Sequence, residues 1–148
     1  MNETLPRLDC MCASFRRASR ALTRHYEEAL RPLGLRATQF TILQALSLTG
    51  EVSQGKLGEI LALDSTTLTR TLDIMIGHDW IVKRQGKDRR ERYLRLSNAG
   101  LAELKRALPY WERVQRKLRK ELGNKRWDKL LNLTNRVTAA SLTAAVAE

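Results

Sequence analysis

The sequence has few residues of the kinds that bind metals or form cross-links. It contains two cysteines, Cys10 and Cys12, and two histidines, His25 and His78. Because the cysteines lie only two positions apart, they are too close for an ordinary intrachain disulfide, and we expect reduced thiols in a reducing compartment. So small a set of potential ligands predicts no metal site, and we expect no cofactor.

Long apolar runs are also missing. A membrane-spanning helix needs about 20 consecutive apolar residues, and the sequence has no such stretch. The first ten residues, MNETLPRLDC, lack the order of basic, apolar and small residues that marks a signal peptide. We therefore expect a cytoplasmic protein that has no membrane partner.

Acidic residues are scarce relative to basic ones. The 148 residues include 27 Lys and Arg against 16 Asp and Glu, a net charge of +11. This excess favours an anionic partner, either nucleic acid or a membrane surface, and does not by itself decide between them. With 43% hydrophobic residues, the chain is long enough for one core, and we expect a single unit over residues 1–148.

Apolar residues recur at spacings of three and four in the first third of the chain. They predict a long amphipathic helix over about residues 8–31, which ends before Pro32 and Gly34. A second helix follows and ends at Gly50. Ser53 is then placed to cap a short third helix.

A tight link at Ala62 and Leu63 leads into a fourth helix that begins near Asp64. Helix, short turn and helix is the arrangement that presents a helix to the DNA major groove. The exposed face of this fourth helix carries small hydroxyl side chains and one arginine: Ser65, Thr66, Thr67, Thr69 and Arg70. Taken alone, this face also fits a solvated surface capped by Asp64.

Two short strand-like runs follow, at residues 81–84 and 93–96, with the tip of a hairpin at Gly86 to Arg90. Between Lys83 and Arg92 there are six basic and two acidic residues, a net charge of +4. Basic residues also protect exposed sheet edges, but beside a helix-turn-helix this density favours DNA.

The last third of the chain predicts two long helices. Ser97 is placed to cap the fifth, Gly123 ends it, and Asn124 is placed to cap the sixth. Their apolar stripes are longer than one small domain covers, so we expect residues 8–31 and 97–146 to form a helical dimerisation layer. The many basic residues between Arg113 and Arg126 are interpreted as a solvated face that raises non-specific affinity for DNA without reading its sequence.

The whole pattern resembles the multiple-antibiotic-resistance-regulator (MarR) family of winged-helix transcription factors. The most specific segment is LDSTTLTRTLDIMIGHDWIVKRQGKDRRERYLRLSNAG, from Leu63 to Gly100. It has the Asp-x-Arg pattern of the wing at Asp88 and Arg90 and the Leu-Ser-x-x-Gly signature from Leu96 to Gly100. The resemblance implies a mainly α fold with a small β-hairpin wing: a winged helix-turn-helix lobe over residues 36–96, plus a dimerisation layer of N- and C-terminal helices.

This resemblance also implies roles for individual residues. Arg90 would enter the minor groove while Asp88 braces the wing, and the fourth helix would supply the major-groove and phosphate contacts. Gln54 and Lys56 at the start of the third helix would contact the DNA backbone. The remaining wing contacts would come from Lys87, Arg89 and Arg92. Arg36 departs from the family pattern, which often has a hydroxyl residue capping the second helix.

One subgroup of the family senses organic hydroperoxides through a cysteine in the first helix. The Ala-Ser-Arg at Ala18 to Arg20 and the tyrosine at Tyr26 align Cys12 with that reactive position. Nearby arginines or a helix N-terminus would favour its thiolate, and Cys10 would resolve the sulfenic acid across the dimer. Alternatively, Cys12 is a small hydrophobe in the dimer layer, and the effector is a small aromatic ligand.

We therefore expect a homodimeric, sequence-specific regulator of transcription that binds a pseudo-palindromic operator in double-stranded DNA. It would act as a repressor that is released by oxidation at Cys12 or by a small aromatic ligand. Two alternatives remain open: a thiol-dependent redox enzyme and a sequence-neutral architectural DNA binder. The sequence supplies no paired acid and base and no glycine-rich phosphate loop, so we expect no enzyme.

Overall fold

The computed structural model describes residues 5–146, and the ends of the predicted unit at residues 1–4 and 147–148 lie outside the described residues. The elements, in chain order, are α1 (Met11–Leu30), a 3-10 turn (Arg31–Leu33), α2 (Ala37–Thr49), β1 (Val52–Ser53), α3 (Gln54–Leu61), α4 (Ser65–Gly77), β2 (Ile81–Gln85), β3 (Arg92–Leu96), α5 (Asn98–Leu122) and α6 (Asn124–Val146). The mainly α fold with a small β-hairpin wing is confirmed.

Glu27 on α1 takes the place of the missing hydroxyl cap at the start of α2. Its Oε1 accepts a hydrogen bond from the Ala37 N–H at 2.9 Å, and its Oε2 lies 3.2 Å from the Arg36 Nε. The Arg36 N–H donates to the Gln39 Oε1 at 2.9 Å. The N–H groups of Arg36 and Ala37 are therefore satisfied at the start of α2, and the cap also ties α1 to the winged lobe.

Side-chain caps begin the next two helices where the sequence placed them. The Ser53 Oγ accepts from the Lys56 N–H at 3.2 Å, and the Asp64 Oδ1 accepts from the Thr67 N–H at 2.8 Å. Between α3 and α4, Ala62 adopts a positive φ of 50°, which turns the chain within two residues. The helix-turn-helix geometry is thus set by local contacts.

The wing belongs to a three-stranded antiparallel sheet in the order β1-β3-β2. Leu94 of β3 pairs with Val52 on one side and with Lys83 on the other, and its side chain is fully buried. The sequence predicted the hairpin of β2 and β3 and missed β1. Two residues are too few to show an alternating pattern.

The core lies between α2, α3, α4, the sheet and the first half of α5. Its largest fully buried side chains are Leu30, Leu35, Ile42, Leu43, Leu46, Leu57, Leu72, Met75 and Leu94. The last buried residue of α5 is Val114, so the helix extends well past the core. α5 begins at a cap in which the Ser97 Oγ accepts from the Gly100 N–H at 2.9 Å and donates to the Asp79 carbonyl.

Apolar side chains stay exposed along the terminal helices of the single chain. Met11 on α1 is 62% exposed, and Leu131 on α6 is 50% exposed. α1, α5 and α6 lie where the sequence predicts the N- and C-terminal helices. α1 begins at Met11, later than the predicted start near residue 8. Among the described residues, none of the helices combines the length and apolarity needed to cross a bilayer.

Candidate nucleic-acid interface

The exposed face of α4 carries all four hydroxyl side chains that the sequence singled out. Leu68, Leu72 and Met75 are buried against the core, which turns the opposite side of the helix outward. The exposed residues there are Ser65, Thr66, Thr67, Thr69 and Arg70. A helix that presents small donors and one guanidinium can enter a major groove and hydrogen-bond to base edges and phosphates.

Thr67 is also part of the α4 cap. Its Oγ1 donates to the Asp64 Oδ2 at 2.6 Å, while its N–H donates to the other oxygen of the same carboxylate. These hydrogen bonds hold the pKa of Asp64 below its usual value. Since a phosphate oxygen can only accept, the Thr67 hydroxyl cannot donate to one while it caps the helix. The hydroxyls left for DNA are those of Ser65, Thr66 and Thr69.

The two predicted contacts on α3 lie in different surroundings. The Gln54 Nε2 donates to the Thr69 Oγ1 at 3.1 Å, so Gln54 belongs to the same exposed surface as α4. The Lys56 Nζ lies 3.0 Å from the Glu59 Oε2, and both side chains are exposed. An approaching phosphate would compete with Glu59 for Lys56.

Asp88 makes hydrogen bonds that hold the tip of the wing. Its Oδ1 accepts from the Arg90 N–H at 2.9 Å, and its carbonyl accepts from the Glu91 N–H at 3.0 Å. The carboxylate is thereby turned toward the backbone of its own loop. Gly86 opens this loop, and a Cβ there would lie 2.7 Å from the Glu91 carboxylate and 2.9 Å from the Tyr93 ring.

We call the six basic residues between Lys83 and Arg92 the wing bases. Two of them make contacts that stabilise the wing itself. The Arg84 Nε donates to the Glu51 Oε2 at 2.9 Å, and its guanidinium lies 4.5 Å from the centre of the Tyr93 ring. The Arg92 Nη1 donates to the Glu91 carbonyl at 3.0 Å and to the Arg89 carbonyl. Glu51 carries a lowered pKa because of its hydrogen bond with Arg84.

The other four wing bases make no side-chain hydrogen bond or ion pair with the rest of the described chain. They are Lys83, Lys87, Arg89 and Arg90, and all four are exposed. Arg92 was predicted as a DNA contact together with this group, but its guanidinium holds wing carbonyls. Sequence reasoning missed this difference because it depends on where each guanidinium points.

The predicted sensing residues do not come together within one chain. Cys10 precedes the first turn of α1 and Cys12 lies in that turn, and both are exposed. Tyr26 lies on the same helix 14 residues after Cys12, which is about 21 Å at 1.5 Å per residue. Burial raises the pKa of Tyr26. Any contact between Cys12 and this phenol would require a second copy of the chain.

A cavity of about 410 Å³ lies where α1, α2, α5 and α6 meet. Its lining includes Phe15, Leu22, Tyr26, Phe40, Trp111 and Leu130. The centres of the Phe40 and Trp111 rings lie 6.0 Å apart, so Trp111 packs against the buried Phe40 and also faces this space. Among residues 5–146, no group of three His, Cys, Asp or Glu side chains is placed to hold a metal ion.

Comparison with known proteins finds one matching family and several similar proteins. The MarR family pattern matches residues 35–91, which run from the start of the lobe to the end of the wing tip. An uncharacterized HTH-type transcriptional regulator of Bacillus subtilis, YwoH, is 30% identical over 80 residues, which cover 54% of this chain and 58% of YwoH. The chain thus spans little more than half the length of that curated relative.

Solved structures match over more of the chain. The M. tuberculosis transcriptional regulator MosR, solved in complex with DNA, is 32% identical, with a TM-score of 0.82 over 92% of this chain and 98% of MosR. A MarR mutant from E. coli, solved with operator DNA, has a TM-score of 0.76 at 22% identity over 86% of this chain and 92% of that one. The second match shows the fold alone.

Proposed function

This chain belongs to the MarR family of DNA-binding transcriptional regulators, and from that premise we propose that it is a cytoplasmic, homodimeric repressor of a pseudo-palindromic operator. The observation that carries the proposal is the pairing of two exposed features in one lobe. These are the hydroxyl face of α4 and four wing bases whose side chains make no hydrogen bond or ion pair with the rest of the described chain. Family membership sets aside the thiol-dependent enzyme.

The two features suit different parts of a duplex. Ser65, Thr66, Thr69 and Arg70 on α4 provide the donors for the major groove. Arg90 lies on a tip whose carboxylate, from Asp88, is already bonded to the loop backbone. An arginine presented in this way suits the narrow, electronegative minor groove of A·T-rich DNA.

Dimerisation is supported by the apolar surface of the terminal helices. Large side chains on α1 and α6 remain partly exposed, including Phe15 at 38%, Leu22 at 41% and Leu142 at 44%. Exposed apolar side chains on these helices favour a protein partner, and a second copy would bury the same side chains on both chains. Two lobes would then read half-sites about one helical turn apart.

Selection of bound duplexes from a random pool, followed by affinity measurement, tests the DNA-binding model. Arg90→Ala should weaken binding to selected duplexes and relax the preference for A·T pairs at the wing positions, and Arg70→Ala should cost about 1–3 kcal/mol at its base contact. Arg31→Ala is the matched control, because Arg31 is exposed on the 3-10 turn, outside α3, α4 and the wing. Unchanged affinity in both test variants would contradict the model.

The selection also separates a sequence-specific regulator from an architectural binder. A repressor should enrich a palindromic consensus, whereas an architectural protein would bind random and selected duplexes equally. Binding that weakens steeply with salt is expected in both cases and does not discriminate.

For release we propose oxidation of the exposed Cys12. Its thiolate would attack a hydroperoxide to give a sulfenic acid and an alcohol. The Cys10 thiol of the second subunit would then condense with the sulfenic acid, forming a disulfide and water. Oxidant should release DNA from the wild type and leave Cys12→Ser bound. Equal release from both would favour Cys10 alone or an aromatic ligand in the cavity beside Trp111.

A further inference from the structure

More than half of the net charge of the protein lies outside the surface that reads DNA. Residues 113–129 hold eight basic and two acidic residues, a net charge of +6 out of +11. Residues 35–96, which include α4 and the wing, hold ten basic and seven acidic residues, a net charge of +3. We call the first group the basic tip: Arg113, Arg116, Lys117, Arg119, Lys120, Lys125, Arg126 and Lys129.

The basic tip is a defined structural unit. Gly123 alone separates α5 from α6, and its positive φ of 78° turns the chain sharply. The Arg119 Nη2 lies 3.3 Å from the Asp128 Oδ1, and its guanidinium lies 6.0 Å from the centre of the Trp127 ring. These contacts hold the end of α5 against the start of α6.

Four lysines in this unit make no side-chain hydrogen bond or ion pair within the described chain. They are Lys117, Lys120, Lys125 and Lys129, and all are exposed. On α5 the pairs Arg113 with Lys117 and Arg116 with Lys120 lie four residues apart, where like charges destabilise a helix. The sequence pattern favours a solvated face here that raises non-specific affinity for DNA without reading its sequence. A face that met solvent alone would not require such repulsion between like charges.

The basic tip is too far from α4 and the wing to strengthen DNA binding there. Along α5, residues Arg113 to Leu122 lie about 24 to 37 Å from Ser97, where the wing strand β3 passes into the helix. The screening length at physiological ionic strength is about 8 Å. Phosphates held by the lobe are therefore screened from these charges.

The surface of the basic tip suits a phosphate backbone better than a protein or a bilayer. Protein interfaces depend on buried aromatic and apolar anchors, and surface-bound helices insert apolar side chains into the membrane. Among the described residues from 102 to 129, no large hydrophobic side chain is exposed. Lysines that make no ion pair neutralise phosphates regardless of base sequence, and the exposed Leu130 and Leu131 lie just beyond the basic tip on α6.

We propose that the basic tip binds the backbone of a second DNA duplex, so that one regulator assembly holds two DNA segments at once. This inference rests on the proposed function, because the first segment is the operator held by the winged lobes. The tip contacts carry no sequence preference. They raise the local concentration of neighbouring DNA around a bound regulator.

A two-step capture experiment tests the proposal with the full chain. A selected duplex is immobilised and loaded with the regulator, and excess unlabelled selected duplex then fills any free lobes. A wash at moderate salt next removes duplex that is held only by the basic tip. A fluorescent duplex of unrelated sequence is added at low salt and its retention is measured. The test variant replaces Lys117, Lys120 and Lys125 by Gln, and the matched control replaces the exposed Arg20, Arg24 and Arg31 of the N-terminal part by Gln.

The wild type and the control should retain the fluorescent duplex, and so should a variant with Arg at the three lysine positions. The variant with Gln at Lys117, Lys120 and Lys125 should lose it. Three lost phosphate contacts should remove about 2.7 from the slope of log affinity against log salt. Failure of the wild type to load on the selected duplex would overturn the proposed function itself. Normal loading without retention, equal retention by both Gln variants, or capture of anionic vesicles or polyglutamate instead of DNA would overturn only the second site.

Discussion

The Gln54 side-chain amide donates a hydrogen bond to the Thr69 hydroxyl at 3.1 Å, which joins the first turn of α3 to the exposed face of α4. The bond occupies one lone pair of the Thr69 oxygen and directs the hydroxyl hydrogen away from Gln54. Thr69 can therefore donate to a base edge, and the free carbonyl of Gln54 can accept from an adjacent one. The two side chains present one donor and one acceptor as a unit.

Gln54→Ala should therefore alter sequence preference as well as affinity. Without the amide, the Thr69 hydroxyl rotates freely, and discrimination at one base-pair step should fall by about 1 kcal/mol. Base-preference profiles of Gln54→Ala, Thr69→Val and the double variant measure this effect. If the two residues act as a unit, the double variant loses less than the sum of the singles. Strict additivity, or an equal loss at every base position, would indicate that Gln54 contacts only the backbone.

Glu27 should stabilise the chain through the hydrogen bond that it accepts rather than through its charge. Glu27→Leu removes the acceptor for the Ala37 N–H and should lower the free energy of unfolding by about 1 kcal/mol, the usual cost of a lost helix cap. Glu27→Gln keeps an acceptor oxygen and should lose much less, because the side chain of the paired Arg36 is 74% exposed. Urea unfolding of the two variants measures the difference. Equal losses would mean that the ion pair dominates.

Gly100 should tolerate no side chain. A Cβ there would lie 2.0 Å from the Trp80 carbonyl oxygen and 2.9 Å from its carbon, and a backbone carbonyl cannot rotate away as a side chain can. Gly100→Ala should cost about 1–3 kcal/mol or more in unfolding free energy. Gly55→Ala on α3 is the matched control, since a Cβ there meets nothing within 4 Å and alanine favours the helix. Thermal unfolding of both variants tests this prediction. Similar unfolding midpoints would contradict the close contact between residue 100 and the Trp80 carbonyl.

Features set by neighbouring residues could be predicted from the sequence. The caps at Ser53, Asp64 and Ser97 each accept from an N–H three residues later, so a short pattern is sufficient to find them. The cap of α2 could not be found in this way, because its acceptor, Glu27, comes from another helix.

The same limit explains what was missed in the candidate site. Judged by residue type, the hydroxyl residues of α4 were equivalent to one another, and so were the basic residues of the wing. In the structure, however, Thr67 caps its own helix and Arg84 binds Glu51. These assignments depend on side-chain directions that no spacing rule contains. The separation of Cys12 from Tyr26, by contrast, follows from the helix rise alone.

The ion pair between Arg84 and Glu51 should make the anchoring of the wing depend on pH. The hydrogen bond from Arg84 lowers the pKa of Glu51 below its ordinary value of 4.5, so the folded state binds this proton less readily than the unfolded chain does. The pair therefore stabilises the fold above pH 4.5 and loses its contribution as the pH falls below that value. Glu51→Gln should be less stable than the wild type at neutral pH, and the difference should vanish in acid. This difference is measured by the thermal unfolding midpoints of the wild type and Glu51→Gln, from neutral pH to below pH 4.5. Glu59→Gln is the control for an exposed ion pair at the lobe surface. A difference between wild type and Glu51→Gln that persists well below pH 4.5 would show that Glu51 acts through packing instead of charge.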